Sequence, residues 1–287
     1  MAEARCPASC GELLQGLIQS SEKLISCPIN WFSTVEVKTG KPDLQHERPM
    51  MRQALLSVLR WLEIPEKASR ELAIRYDSTI PIAKGMASST ADIAATIMAT
   101  ARHFGVSLPE HSIAKLCVSL EPTDSTIFNQ LTLFDHNKGS IHRQFDWVPE
   151  LDVLILESPS QLTTSDYHLI NRRAQLVQNE TILTDAWHIF QDGMEQKDIT
   201  QIGRAATLSA TASQNILPKP HFQELLKIVA RFSLPGLNIA HSGTVVGLLI
   251  DNALHDHEEI IRALKESEPG RYYTRFHQMK LISGGIE

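Results

Sequence analysis

Pro81-Ile82-Ala83-Lys84-Gly85-Met86-Ala87-Ser88-Ser89-Thr90-Ala91-Asp92 is the most informative stretch of this 287-residue chain. Just before it, Leu72, Ile74 and Tyr76 alternate with Ala73, Arg75 and Asp77, the period of a half-buried strand that ends near Ser78-Thr79-Ile80. Pro81 has no N–H to donate and stops the pairing. Gly85 permits a backbone turn that a side chain forbids. Ser88 and Ser89 both suit a helix N-cap, and beyond them Ala94, Ile97, Met98 and Ala101 share one helical face. The order is therefore strand, glycine turn, serine pair, helix. A helix N-terminus carries free N–H groups and partial positive charge, which favour a phosphate, and the hydroxyls can donate to its oxygens or ligate Mg²⁺. On pattern alone the stretch reads equally well as a capped core helix after an ordinary turn.

Outward from this stretch, composition sets the bounds. The length suits one large domain or two ordinary ones. Hydrophobic residues make up 43% and charged residues 21%, as in a packed globular protein. A net charge of −6 argues against a nucleic-acid partner, which needs a basic footprint. No apolar run reaches the length of a membrane span, and Met1-Ala-Glu-Ala-Arg-Cys-Pro7 lacks a signal pattern, so a cytoplasmic location without membrane contact is expected. The four cysteines are then expected to be reduced thiols, and Cys6 and Cys10 lack the spacing and the second pair of a zinc site. Oligomeric state stays open.

Residues 4–16 read as a first strand and turn, and Thr34, Val35 and Val37 as part of a second strand. A helix follows from about Pro49 with Met51, Leu55, Val58 and Leu59 on one face, and another opens near Pro109. That helix ends at Glu121-Pro122-Thr123-Asp124. Two carboxylates at a helix C-terminus oppose its dipole, which suggests a metal ligand and a general base, against a solvated acidic turn. Residues 131–145 read as a hairpin, Val148-Pro149-Glu150 as a domain junction, and 151–156 as a buried strand. The polar loop beyond it offers Thr163, Thr164, Ser165 and Asp166, then Tyr167, His168 and the arginines Arg172 and Arg173; an arginine there can hold a carboxylate bidentately. Two helices broken near Asp198, a third from Pro220, a strand–turn–strand over 237–250 with Gly243 and Gly247, and a final edge strand within 272–282 complete the chain. His241 reads as a structural histidine in preference to a phosphate contact, and His255-Asp256-His257 as a polar first turn of a helix in preference to a metal site. The Walker phosphate motif, Gly-x-Ser-x-Gly and His-Glu-x-x-His are all absent.

Pro-x-x-x-Gly-x-x-Ser-Ser-x-Ala in residues 81–91 resembles the phosphate-binding motif of the GHMP kinases, with Ala87 where that family usually has glycine. Pro7, Ser9, Gly11, Glu12 and Gly16 resemble the family's first motif and Ser242-Gly243-Thr244 its third. Cys6-Pro-Ala-Ser-Cys-Gly-Glu-Leu-Leu-Gln-Gly16 and Cys27-Pro-Ile-Asn30 are similar to the branch that phosphorylates L-threonine for cobalamin synthesis. The resemblance implies an α+β fold, with a ribosomal-S5-like ATP-binding domain over residues 1–149 and a ferredoxin-like domain over 150–287. It implies ATP and Mg²⁺ as cofactors and L-threonine as the small-molecule substrate. Pro81, Lys84, Gly85, Met86, Ala87, Ser88, Ser89 and Thr90 are then expected to hold ATP, and Ser89 and Glu121 the Mg²⁺. Asp124 is expected as the base; Asp92 is a fallback for metal or base, though its expected place in the helix's first turn is explained as well by the dipole. Ser9, Glu12, Cys27, Asn30 and Arg172 are expected near the substrate. A homoserine-type GHMP kinase and a non-catalytic sensor of the same fold are the competing readings.

Overall fold

The computed structural model describes residues 1–162 and 170–287. The loop positions Thr163 to His168 named above lie outside the described residues. Strand β1 (Ala2–Ile18) and strand β2 (Ser21–Thr39) form a long antiparallel pair. The sequence places a turn within residues 4–16, but the chain runs on through them and turns at Gln19-Ser20, both at positive φ. The early glycine is used up by an irregularity in the ladder, where the register shifts between Ser9 and Glu12 and again before Leu14.

Strand β3 (Leu72–Asp77) pairs with β2 and stops before Ser78. Strands β4 (Leu131–Asp135) and β5 (Ser140–Phe145) form the expected hairpin. The remaining strands are β6 (Asp152–Glu157), β7 (Gly236–Ile239), β8 (Val246–Ile250) and β9 (Arg275–Lys280). They extend one antiparallel sheet in the order β5-β4-β2-β1-β7-β8-β6-β9, with β3 also on β2. The far edge returns to β2: Ile29 bridges Leu281, and the Ile282 amide donates to the Pro28 carbonyl at 3.0 Å.

Helices α1 (Pro49–Trp61), α2 (Ser88–His103) and α3 (Glu110–Val118) belong to the first half of the chain. Ala91, Ala94, Ala95, Ala99 and Ala101 leave α2 almost without exposed surface, because small side chains let it lie close to β1 and β2. The second half adds α4 (Arg173–Gln178), α5 (Glu180–Gln196), α6 (Ile199–Ala212), α7 (Phe222–Arg231), α8 (His257–Lys265) and α9 (Glu268–Tyr272). The expected break at Asp198 separates α5 from α6, and its carboxylate caps α6 by accepting from the Thr200 and Gln201 amides. Asp256 caps α8 in the same way, so the His255–His257 stretch is the start of a helix.

Strand β6 shows how the core divides. Val153 and Ile155 join the large cluster that holds β1, β2 and α2, whereas Leu154 and Leu156 join a second cluster with Phe222, Leu237 and Ile260. Period-two alternation thus serves a different layer on each face of the sheet.

Helix α6 crosses β7 at Gly203, where an added Cβ would lie 2.2 Å from Pro235 backbone atoms. Gly203→Ala is expected to lower stability by about 1–3 kcal/mol, the cost of overpacking a contact that cannot yield. A urea titration that shows an unchanged midpoint would disprove this close fit.

Candidate active site

Three glycines from distant parts of the chain meet at one point. Gly11 sits in the β1 irregularity at φ +57, and a Cβ there would lie 2.3 Å from the Ile239 carbonyl oxygen. Its amide donates to the Gly85 carbonyl at 3.2 Å, and the Ser9 amide to the Met86 carbonyl at 3.1 Å. Gly85, at φ +79, presses on Ala240 and Gly243; a Cβ on Gly243 would lie 2.4 Å from the Gly85 Cα. The amides of Thr244 and Val245 both donate to the Lys84 carbonyl, at 2.8 and 3.2 Å. The strand irregularity, the 81–87 loop and the 242–244 turn are therefore locked together through their backbones.

This junction sets the wall of a cavity of about 240 Å³. Gly85, Met86, Ala87, Ser88, Ser89 and Thr90 line it, with Glu12, Glu121 and Asp124. Ser88 and Ser89 do not cap α2 from outside; they are its first residues, and Ala87 precedes it in the left-handed region at φ 55 without a side-chain cap. That conformation costs an L-residue roughly 1 kcal/mol and is free for glycine. With no side chain capping the helix, its first-turn N–H groups remain for a ligand in the cavity.

The three carboxylates come from three elements. Glu12 follows the β1 irregularity; its Oε2 accepts from both the His241 amide (2.8 Å) and the His241 Nδ1 (2.9 Å). Glu121 lies three residues beyond α3; loss of water around it raises its pKa, and the nearby Ser89 hydroxyl offsets part of that rise. Asp124 is held by the Thr90 hydroxyl at 3.2 Å and the Ser26 hydroxyl at 3.4 Å. Ser26 and Ser125 exchange two amide-to-hydroxyl hydrogen bonds of 2.9 Å, which pin this loop to β2. Desolvation first, then the charges of Glu12 and Glu121, push Asp124 up to about 7.

Other expected site residues have different surroundings. Ser9 is buried, with its hydroxyl bonded to the Gly11 and Cys27 carbonyls. Cys27 is a buried core thiol whose pKa is raised by desolvation. Asn30 is exposed, and its Oδ1 accepts from the Lys280 amide at 2.7 Å. Arg172 precedes α4 and donates to the Ile170 carbonyl at 2.9 Å. None of these four, nor Pro81, lines the cavity. Asp92 is not there either; its carboxylate pairs with Arg48 and accepts from the Ser33 hydroxyl at 2.5 Å. Gln15 and Ser242 line the cavity from within the first and third motifs, and His136 lines it from the hairpin; none is among the expected site residues, because each reaches the cavity only when β1, the third motif and the hairpin converge. Lys219 is a further buried cation close enough to Glu12 for their charges to interact; burial lowers its pKa to about 7.

Lys84 spends its ammonium on the protein. Nζ donates to the Ser158 and Ser160 carbonyls at 2.6 and 2.8 Å and lies 3.8 Å from the Glu157 carboxylate. It ties the loop to the end of β6 and is absent from the cavity lining. Lys84→Met is expected to destabilise the protein by about 1–3 kcal/mol, because two buried carbonyls lose their donor, while Glu157 keeps His277 at 2.9 Å and Arg275 at 3.7 Å. Denaturant unfolding measured beside the KM for ATP tests this: a rise in KM with stability intact would make Lys84 a phosphate ligand instead.

Comparison with known proteins agrees with this geometry. A model described as "GHMP kinases N terminal domain" matches residues 52–134, a range that includes the 81–92 loop, Glu121 and Asp124. Over its whole length the chain is 49% identical to an L-threonine kinase of Salmonella typhimurium, covering 95% of that protein. It is also 49% identical to an L-threonine kinase of Citrobacter freundii, covering 99%. Solved structures share the fold at low identity. A mevalonate kinase superposes with a TM-score of 0.69 at 16% identity, covering 98% of this chain and 99% of that one. A homoserine kinase from Cytophaga hutchinsonii gives 0.68 at 14%, covering 100% and 96%. The chain belongs to the GHMP kinase family, alongside these L-threonine kinases.

Proposed function

We propose that the protein transfers the γ-phosphoryl group of ATP to the hydroxyl of L-threonine, giving ADP and O-phospho-L-threonine. The observation that carries this reading is full-length 49% identity to L-threonine kinases, combined with a cavity where the phosphate loop faces Glu12 and Asp124. As the sequence resemblance implies, the product would serve cobalamin synthesis; a cytoplasmic location is part of the same reading. Among the described residues no helix is long and apolar enough to cross a membrane.

Phosphoryl transfer needs positioning and charge neutralisation more than covalent chemistry. The loop from Gly85 to Thr90, with the first turn of α2, supplies backbone N–H groups to the ATP phosphates. Mg²⁺ fits the residues present. The Ser89 hydroxyl and the Glu121 carboxylate are oxygen donors that line the cavity beside that loop, and Mg²⁺ typically takes one or two carboxylates with the rest of its shell from phosphate and water. Ser89 and Glu121 would hold it, and when bound it would neutralise phosphate charge. Asp124 takes the proton of the substrate hydroxyl. Thr90 and Ser26 fix its carboxylate for that role. Glu12 faces the substrate from the opposite motif.

The ionised form of Asp124 is the base, and its pKa is raised, so the sign of the pH dependence follows. kcat/KM should climb as pH rises through about 7 and level off above it, the free enzyme's Asp124 being mostly protonated below that point. Asp124→Asn is expected to lower kcat by about 10²–10⁴-fold with the KM for ATP little changed, and to remove that inflection. Near-normal kcat in this variant would leave catalysis to positioning alone. ADP release measured across L-threonine, L-serine, L-homoserine and mevalonate tests the substrate. L-threonine should show the highest kcat/KM; a higher value for homoserine or mevalonate would refute the threonine assignment and keep the kinase.

A further inference from the structure

Behind Glu12 lies a buried polar chain that phosphoryl transfer does not use. The Gln15 backbone N–H donates to the Ser209 hydroxyl of α6 at 3.1 Å, Ser209 Oγ lies 3.1 Å from His241 Nε2, and His241 Nδ1 lies 2.9 Å from Glu12 Oε2. Ser209, His241 and Glu12 are all buried. A carboxylate oxygen only accepts, so Nδ1 carries the proton that faces Glu12. The Ser209 hydroxyl is already an acceptor from Gln15 and is placed to donate to Nε2, which fixes the ring tautomer. The His241 amide adds a second donor to the same Oε2. One oxygen of Glu12 thus takes two hydrogen bonds, and among the described residues Oε1 takes none.

Gln15, on the same strand, repeats the pattern. It lines the cavity with Glu12, it is nine-tenths buried, and its Oε1 has no hydrogen-bond partner. Such a buried acceptor is costly unless a ligand satisfies it. Two acceptors without partners on one wall call for a ligand rich in donors, and an ammonium group has three.

We propose that His241, braced by Ser209, is a positioning residue that fixes one oxygen of Glu12 so that the other, with Gln15, receives the α-ammonium group of the substrate. This rests on the reading of the substrate as an amino acid and adds the basis of its selection: a hydroxy acid without the amino group leaves both acceptors unpaired. Discrimination of that kind far exceeds what an apolar pocket achieves against one methyl group.

The test compares L-threonine with 3-hydroxybutyrate, which is threonine without its amino group. Wild-type kcat/KM should favour L-threonine by roughly 10⁴-fold. His241→Leu should raise the KM for L-threonine by about 10-fold or more, with kcat/KM for 3-hydroxybutyrate and the KM for ATP within about twofold of wild type. His241→Asn, whose side-chain amide can still donate to Glu12, should recover most of the loss. Equal losses on both substrates, or no change on L-threonine, overturn the proposal. If His241→Leu fails to fold, Ser209→Ala must show the same split to a smaller degree, and equal losses there also overturn it. If another amino acid proves the better substrate, it and its deaminated analogue form the pair, so failure of the threonine assignment is read separately. A wild-type enzyme that prefers the deaminated member of the pair refutes the ammonium site.

Discussion

Backbone contact among Gly11, Gly85 and Gly243 is the constraint on which the site depends. These residues belong to segments separated by more than seventy residues each, and any side chain at the junction would occupy space already held by backbone atoms. Because the contact is made by main chain, its geometry is set by covalent bonds and hydrogen bonds and not by rotamers. The consequences run outward. The irregularity at Gly11 places Glu12 at the cavity, the turn at Gly85 sets the approach to α2, and the third-motif turn delivers His241 to the Glu12 carboxylate. Lys84 and its partners at the end of β6 hold the same loop from the other side.

The electrostatics follow from that convergence. Three carboxylates share one small cavity, and the charges of Glu12 and Glu121 disfavour that of Asp124; its raised pKa expresses this, after the larger effect of lost water. Asp92 and Arg48 show the opposite arrangement in the adjacent core, where a carboxylate is paired off and absent from the cavity lining. Lys219, whose pKa burial lowers to about 7, sits in a loop between α6 and α7 with no motif of its own, and its charged form is favoured by that of Glu12. A cavity lined by three carboxylates favours cationic groups.

Much of the fold was legible because its signals are local. Alternation marked β3, a short apolar run marked β6 and a glycine-containing turn the β4–β5 hairpin; apolar spacing marked α1 and α2; Asp198 marked the break between α5 and α6. The turn within residues 4–16 was misplaced, because glycine signals freedom of φ and not how that freedom is used; here it serves a strand irregularity, and the chain turns at Gln19-Ser20. The serine pair was legible as the start of α2 but not as its first turn, since capping depends on whether Ala87 enters the left-handed region.

The sequence by itself determined the alternating and helical segments, the three glycine motifs and the family they resemble, since each depends on neighbours within a few residues. Only the tertiary structure decided which motif side chains reach the cavity. Glu12, Ser89, Glu121 and Asp124 line it, while Ser9, Lys84 and Asn30 bond to protein and Cys27 is core. The same was true of Gln15, Ser209 and His241, whose hydrogen bonds join residues about two hundred positions apart. A pattern along the chain records which groups are present; whether an oxygen meets a protein donor or stays open to a ligand is fixed by packing between elements that are remote in sequence.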